Sequence, residues 1–129
     1  MSRELIITHA GATVFGRTTS DAFSNLVYQI TDTDEGELTR ELLKEVHEGL
    51  TRRRKDKQKE IDGYEMMMKC PNISYEDWMS NYNAELEARD ELDNIEDGMT
   101  WALTFALLLS EMKCSEGDVD ITLHYLKSY

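Results

Sequence analysis

The sequence is poor in the residues that build disulfide frameworks, cysteine metal sites and membrane spans. Cysteine occurs twice in 129 residues, at Cys70 and Cys114, and the two do not form a CxxC pair. Proline occurs once, at Pro71. The longest apolar stretch, residues 101–109, is interrupted by Thr104. Because a bilayer span needs about 20 apolar residues, we predict no transmembrane helix.

The N-terminal residues also hold too short an apolar run for a secretory signal. We therefore predict a cytoplasmic protein with reduced thiols, in which a Cys70–Cys114 disulfide is not expected. Gly11 and Gly16 do not form a phosphate loop, because no Lys-Ser/Thr pair follows them. The sequence predicts neither a cofactor nor a metal site, and we expect a protein that is not an enzyme.

Negative charge is abundant and unevenly distributed. The formal net charge is −12, with 26 acidic residues against 14 Lys and Arg. Residues 1–60 carry a net charge of −1, whereas residues 61–129 carry −11. The second half of the chain would repel nucleic acid and anionic membranes, and would attract basic surfaces.

The pattern predicts a single, mainly α-helical domain over residues 1–129 with a minor β component. Residues 1–31 form a β-rich or mixed element, in which residues 4–8 and 12–16 suit strands. Residues 20–31 fit a helical apolar stripe capped by Ser20, and this interpretation is favoured over a third strand.

The pattern of residues 34–69 predicts one long helix, or two helices, with a basic segment in the middle. Thr33 is the expected N-cap, followed by a ladder at Leu38, Leu42, Val46 and Leu50. Residues 52–59 then lack apolar side chains, and Pro71 ends the pattern. The basic patch in this segment consists of Arg52, Arg53, Arg54, Lys55, Lys57 and Lys59.

The pattern of residues 74–113 predicts the main amphipathic helix. This helix would run antiparallel to the helix of residues 34–69 in a hairpin or bundle. Its apolar residues follow alternating spacings of three and four, which is the seam of a helix–helix contact. Gly98 is a weak point in this helix. The seam is longer than one short helix can cover, so we predict a homodimer. The seam consists of Ala88, Leu92, Ile95, Met99, Ala102, Ala106 and Leu109.

Residues 115–129 suit either a strand or a helix. Val119, Ile121, Leu123 and Tyr125 alternate like a strand that could pair with the N-terminal β element. The helix is narrowly preferred, because Ser115 and Asp118 would cap it and Leu126 would then lie on its apolar face.

Two acidic tetrads suggest one enzymatic alternative. Glu45-Val-His-Glu48 and Glu87-Ala-Arg-Asp90 each place two carboxylates three residues apart. This pair resembles the Mg²⁺ cage of all-α nucleotide pyrophosphohydrolases, in which facing helices each supply two carboxylates. The resemblance is limited to these tetrads and implies a Mg²⁺-dependent hydrolase. Such tetrads also arise readily in a chain this acidic.

Seven carboxylates fall within the 13 residues from 85 to 97, beside the single cation Arg89. Such a face is either solvated, neutralised by the basic patch, or a docking surface for a larger basic protein. It could also imitate the phosphate backbone of nucleic acid, as small phage proteins that block DNA-handling enzymes do. The predicted partner-binding residues are Glu85, Glu87, Asp90, Glu91, Asp93, Glu96 and Asp97.

We therefore expect a non-enzymatic inhibitor or adaptor that binds a basic, nucleic-acid-handling protein and contacts neither nucleic acid nor membrane directly. The alternatives are a structural protein that acts through homo-oligomerisation and the Mg²⁺-dependent hydrolase.

Overall fold

The protein is a long helical hairpin with a small antiparallel sheet at one end. The computed structural model describes residues 4–9, 13–17, 20–115 and 123–128. Within these ranges, the three helices are α1 (Asp21–Thr31), α2 (Arg40–Met68) and α3 (Tyr75–Ser115). The four strands in the same described residues are β1 (Glu4–His9), β2 (Thr13–Arg17), β3 (Glu35–Leu38) and β4 (Leu123–Ser128).

The hairpin of α2 and α3 confirms the predicted mainly helical fold. Arg40 hydrogen-bonds to Ser110 near one end, and Arg89 pairs with Glu65 near the other. As residue numbers rise along α2, the residues of α3 that face it have lower numbers. The two helices are therefore antiparallel. No helix in the described residues is long and apolar enough to cross a membrane.

The sheet has the strand order β2-β1-β4-β3, with every neighbouring pair antiparallel. One face of it lies on the core, because Leu123 and Tyr125 are buried whereas His124 and Leu126 between and after them are exposed. This alternation is the period of two that a half-buried strand requires.

The main core lies where the sheet, α1 and the hairpin meet. Phe23 from α1 packs against Phe105 from α3, with ring centroids 6.1 Å apart. A second, smaller cluster lies farther along the hairpin and joins Ile61 to Ala88 and Leu92. The part of the hairpin beyond that cluster has little apolar burial of its own.

Two predictions about local structure are wrong. Thr33 does not cap a helix: its hydroxyl lies 2.7 Å from the hydroxyl of Tyr125, and residues 35–38 form β3. Thr39 is the actual N-cap of α2 and accepts a hydrogen bond from the backbone N–H of Leu42. Leu38 lies four residues before Leu42, as in a helix, but it belongs to β3, pairs with Leu123 of β4 and is buried in the main core.

The second correction concerns the C-terminal segment. Residues 123–128 are strand β4 and not a helix. Ser115 is the last residue of α3, so it cannot cap a new helix. Leu126 is 45% exposed and needs no apolar face to cover it. Asp118, Val119 and Ile121 lie outside the described residues. The helix predicted for residues 20–31 is present, with Ser20 as its N-cap.

Candidate functional site: the acidic side of the long hairpin

The predicted seam is not a free surface. Five of its residues are buried within the chain, in the main core or in the smaller cluster, and Met99 and Ala106 are partly buried against the main core. Helix α1 and the sheet, together with α2, cover the stripe, so it does not require a second subunit. The buried members are Ala88, Leu92, Ile95, Ala102 and Leu109.

Part of the acidic segment is neutralised by the basic patch within the same chain. The Arg54 guanidinium lies 3.2 Å from the Glu96 carboxylate. The Lys57 ammonium contacts Glu91 on α3 and Glu60 on its own helix. The prediction that the two charged segments could meet intramolecularly therefore holds for these two cations. Arg53 instead donates a hydrogen bond to Gln29 on α1.

These contacts act on the cations as well. Hydrogen bonds to Glu60, and then to Glu91, raise the pKa of Lys57, against a smaller opposing effect of burial. The hydrogen bond from Arg89 to Glu85, with attraction to Glu65, raises the pKa of the Arg89 guanidinium. Arg89 thus stays charged and is held between two carboxylates at the side of α3.

Other acidic residues of the segment 85–97 lie in a different environment. In the part of the chain that the structure describes, Glu87, Asp90 and Asp93 form no ion pair, and all three are exposed. Asp97 is exposed as well. Asp90, Asp93 and Asp97 are three and four residues apart, so they lie on one side of α3. We call these three residues the outer acidic face.

The remaining basic residues point elsewhere. Arg52, Lys55 and Lys59 are exposed at spacings of three and four on α2. They lie on the opposite side of α2 from Leu50, Ile61 and the ion-paired Lys57. They therefore face away from α3 and cannot neutralise its outer acidic face.

A cleft of about 590 Å³ opens between α1, α2 and α3 beside these charges. Asp21, Arg53, Asp56, Lys57 and Asp90 are among its lining residues. Across the described ranges, no three acidic, histidine or cysteine side chains are grouped so that they could hold a metal ion. The cleft is a mixed-charge groove whose lysine is already paired.

The two acidic tetrads do not form a cage. Glu48 lies beside Ala102 and Leu103 in a groove between the two long helices, whereas Asp90 shares its cleft with Asp56 and Glu60. At about 1.5 Å per residue, the twelve positions between Asp90 and Ala102 separate the tetrads by about 18 Å. This register contradicts the facing arrangement that the pyrophosphohydrolase resemblance implies.

An apolar stripe that was not predicted from the sequence continues the outer acidic face. Tyr75, Met79, Tyr82 and Leu86 follow spacings of four, three and four, and we call them the outer apolar stripe. Tyr75 is 75% exposed, Tyr82 40% and Leu86 46%. The Trp78 ring stacks on Tyr82 with centroids 5.4 Å apart. The spacing was a usable signal, but the stronger core seam on the opposite side of the same helix concealed it.

Comparison of the chain with protein-family models, with curated proteins and with solved structures gives no match.

Proposed function

We propose that the protein is a non-enzymatic adaptor or inhibitor that docks the outer acidic face of α3 on a basic surface of a larger protein. The single observation that carries the proposal is the trio Asp90, Asp93 and Asp97, which are exposed together on one side of the helix. Within the described residues, Glu91 and Glu96 are paired with α2, and the exposed cations Arg52, Lys55 and Lys59 face the other way. A basic partner would relieve the repulsion among the trio.

The high negative charge of residues 61–129 supports the same class of partner. A nucleic-acid-handling protein has the cationic surface that such a face would fit, and mimicry of a phosphate backbone is one way to inhibit it. We place this function in the cytoplasm, where the exposed thiol of Cys70 would remain reduced.

The test compares two triple charge reversals that change the net charge equally. Asp90, Asp93 and Asp97 are replaced by Lys in one variant, and the exposed Glu41, Glu45 and Glu48 of α2 are replaced by Lys in the control. Each tagged protein captures partners from host lysate at about 0.1 M and at about 0.5 M salt, where the Debye length is about 10 Å and about 4 Å.

We expect one dominant basic partner that the control variant retains, that the outer-face variant loses, and that high salt releases. Equal loss with both variants would mean that only the overall charge matters, and would refute a docking face. Capture that is unchanged by salt and by both variants would remove the charge-directed mechanism.

Self-association is the second candidate, and it rests on a surface other than the buried seam. Leu103 and Leu107 are one turn apart on α3 and are 58% and 62% exposed. Leu103 borders a groove of about 370 Å³ that His47 and Ala106 help to line. A second copy covering these leucines would form a homodimer without opening the core.

A further inference from the structure

The outer apolar stripe and the outer acidic face form one continuous surface along α3. Positions 75, 79, 82, 86, 90, 93 and 97 follow one another at spacings of three or four residues. These spacings keep them on one side of an α-helix. The core-facing residues Ala88, Leu92 and Ile95 lie on the opposite side. The surface spans about 33 Å, at about 1.5 Å per residue.

Arg89 is the one Lys or Arg among residues 75–97, and its side chain is held at the side of this surface. Its guanidinium lies 2.6 Å from the Glu65 carboxylate on α2 and 2.7 Å from Glu85. Its charge is therefore paired within the hairpin. The carboxylates of Asp90, Asp93 and Asp97 dominate the half of the surface that follows Arg89.

We propose that this surface binds a single basic amphipathic helix of a partner protein. Apolar side chains of that helix contact the outer apolar stripe, and its Lys or Arg side chains contact Asp90, Asp93 and Asp97. This inference rests on the proposed function and names the chemistry of the partner segment. Charge complementarity assigns the basic end of the segment, and the exposed Tyr82 and Leu86 assign its apolar end.

A helix fits this surface better than a strand does. The backbone groups within α3 are engaged in their own helical hydrogen bonds, so no strand can be added to it. Side chains spaced by three and four form ridges against which a second helix packs. An anionic membrane would be repelled by the outer acidic face, which lies within a few turns of the apolar stripe.

Two stacked aromatic rings lie at the apolar end of this surface. Trp78 and Tyr82 lie nearly parallel, with an interplanar angle of 7°. Such a pair presents a broad apolar surface with few freely rotating bonds, which lowers the entropic cost of ordering a contact. The adjacent hairpin has little core of its own, so a bound helix would supply the missing apolar layer.

The experiment uses synthetic peptides of about 24 residues, the length of helix that covers the surface. One half of each peptide carries Leu, and the other half carries Lys, at spacings of three and four. Both orders of the halves are made, because a helix can run either way along α3. A companion peptide keeps the Lys residues and replaces every Leu with Gln. Binding is measured by fluorescence anisotropy at about 0.1 M and at about 0.5 M salt.

The full-length chain is tested with Leu86→Asp, with the pair Asp93→Lys and Asp97→Lys, and with Ile30→Asp as a control. Ile30 is 38% exposed on α1, away from the outer surface of α3. Circular dichroism melting shows that each variant is folded before its binding is compared.

We expect one order of the Leu–Lys peptide to bind the wild-type chain. Leu86→Asp should weaken that binding at least tenfold at both salt concentrations, whereas Ile30→Asp should leave it unchanged. The double Asp→Lys variant should weaken binding and remove most of its salt dependence. The Gln companion peptide should bind at least tenfold more weakly than the Leu–Lys peptide.

Other results would overturn the inference in distinguishable ways. Equal binding of the Gln companion would remove the apolar contact while leaving the charge-directed docking of the proposed function intact. The Leu–Lys peptide could instead bind with the same affinity at both salt concentrations and to the double Asp→Lys variant. That result would refute the charged contact, and with it the proposed function.

Absence of binding with both peptide orders would refute the amphipathic-helix partner and leave the lysate experiment to decide the proposed function. Sedimentation with zwitterionic or anionic lipid vesicles that Leu86→Asp abolishes would assign the stripe to membrane. A concentration-dependent increase in mass that the same variant abolishes would assign it to a second copy of the chain.

Discussion

The side-chain oxygen of Asn94 on α3 accepts a hydrogen bond of 2.8 Å from the backbone N–H of Ala22 at the start of α1. The Ser20 hydroxyl donates to the backbone carbonyl of Asn94 at 2.8 Å. The same hydroxyl oxygen accepts from the backbone N–H of Phe23. The first turn of α1 is thus anchored to the middle of α3 by polar contacts that satisfy its otherwise unpaired N–H groups.

Ser20→Ala should destabilise the protein by about 1–2 kcal/mol, because it removes a buried cap and its bond to α3. Ser74→Ala is the matched control: Ser74 caps α3 through Asp77 but is exposed, so its loss should cost about 0.5–1 kcal/mol. Urea unfolding followed by circular dichroism measures both. A larger cost for Ser74→Ala would contradict the anchoring role of Ser20.

The two helical glycines Gly98 and Gly63 should respond oppositely to replacement by alanine. A Cβ at Gly98 would lie 2.8 Å from the Ser20 hydroxyl oxygen and 3.0 Å from a Leu50 methyl carbon. A Cβ at Gly63 would meet nothing within 4 Å. Gly63→Ala should therefore stabilise the protein by about 0.5–1 kcal/mol through helix propensity.

Gly98→Ala should instead destabilise it by about 1–3 kcal/mol, as overpacking does. Thermal unfolding of both variants and the wild type gives the comparison. Stabilisation by Gly98→Ala would mean that α1 and α2 can move away from α3 at little cost.

Gly98 also illustrates what the sequence could and could not predict. Periodicity located α1, most of α2 and nearly all of α3, because apolar spacing is a local property that the core preserves. It described Gly98 only as a weak helical residue, because the close approach of Ser20 and Leu50 depends on tertiary packing. The helical prediction for Leu38 was wrong for a similar reason, because strand pairing with β4 outweighed the helical spacing.

The candidate site was only partly predictable. Charge counting located the acidic residues 85–97. It could not tell Glu91 and Glu96, which are paired with α2, from Asp90 and Asp93, which form no ion pair within the described part of the chain. That distinction depends on the register of the hairpin. The same register separated the two acidic tetrads, which local spacing alone had suggested could face each other.

Lys57 should give the protein a measurable loss of stability at alkaline pH. Its folded pKa is raised above the ordinary value of 10.5 by its bonds to Glu60 and Glu91. Its favourable contribution is therefore complete below pH 10.5 and is lost as the pH rises through the folded pKa. Lys57→Met should destabilise the chain at pH 7 by less than about 1 kcal/mol, since both carboxylates are largely exposed.

The difference in unfolding free energy between wild type and Lys57→Met should stay constant up to about pH 10.5 and narrow as the pH rises further. Urea unfolding at several pH values below and above 10.5 gives the profile. A difference that stays constant with pH would assign the effect to packing of the lysine stem and not to its charge.

Leu103→Asp tests the second candidate function. If Leu103 and Leu107 form a homodimer contact, the wild-type chain should show a concentration-dependent mass in light scattering, and the variant should remain a monomer. Unfolding stability at low concentration should change by less than about 0.5 kcal/mol, because Leu103 is 58% exposed. A wild-type chain that is monomeric up to about 0.5 mM would remove self-association through this surface.

The position of β4 in the sheet determines when folding can finish. β4 pairs with β1 on one side and with β3 on the other, yet it is the last of the four strands in the sequence. During synthesis, α1, α2 and α3 leave the ribosome before the strand that joins β1 to β3 exists. The contacts between α1, α2 and α3 can therefore form first, while the edges of β1 and β3 that β4 will fill are still open. Deletion or slow translation of residues 123–128 would leave the helices formed beside two open strand edges, which are sites of aggregation.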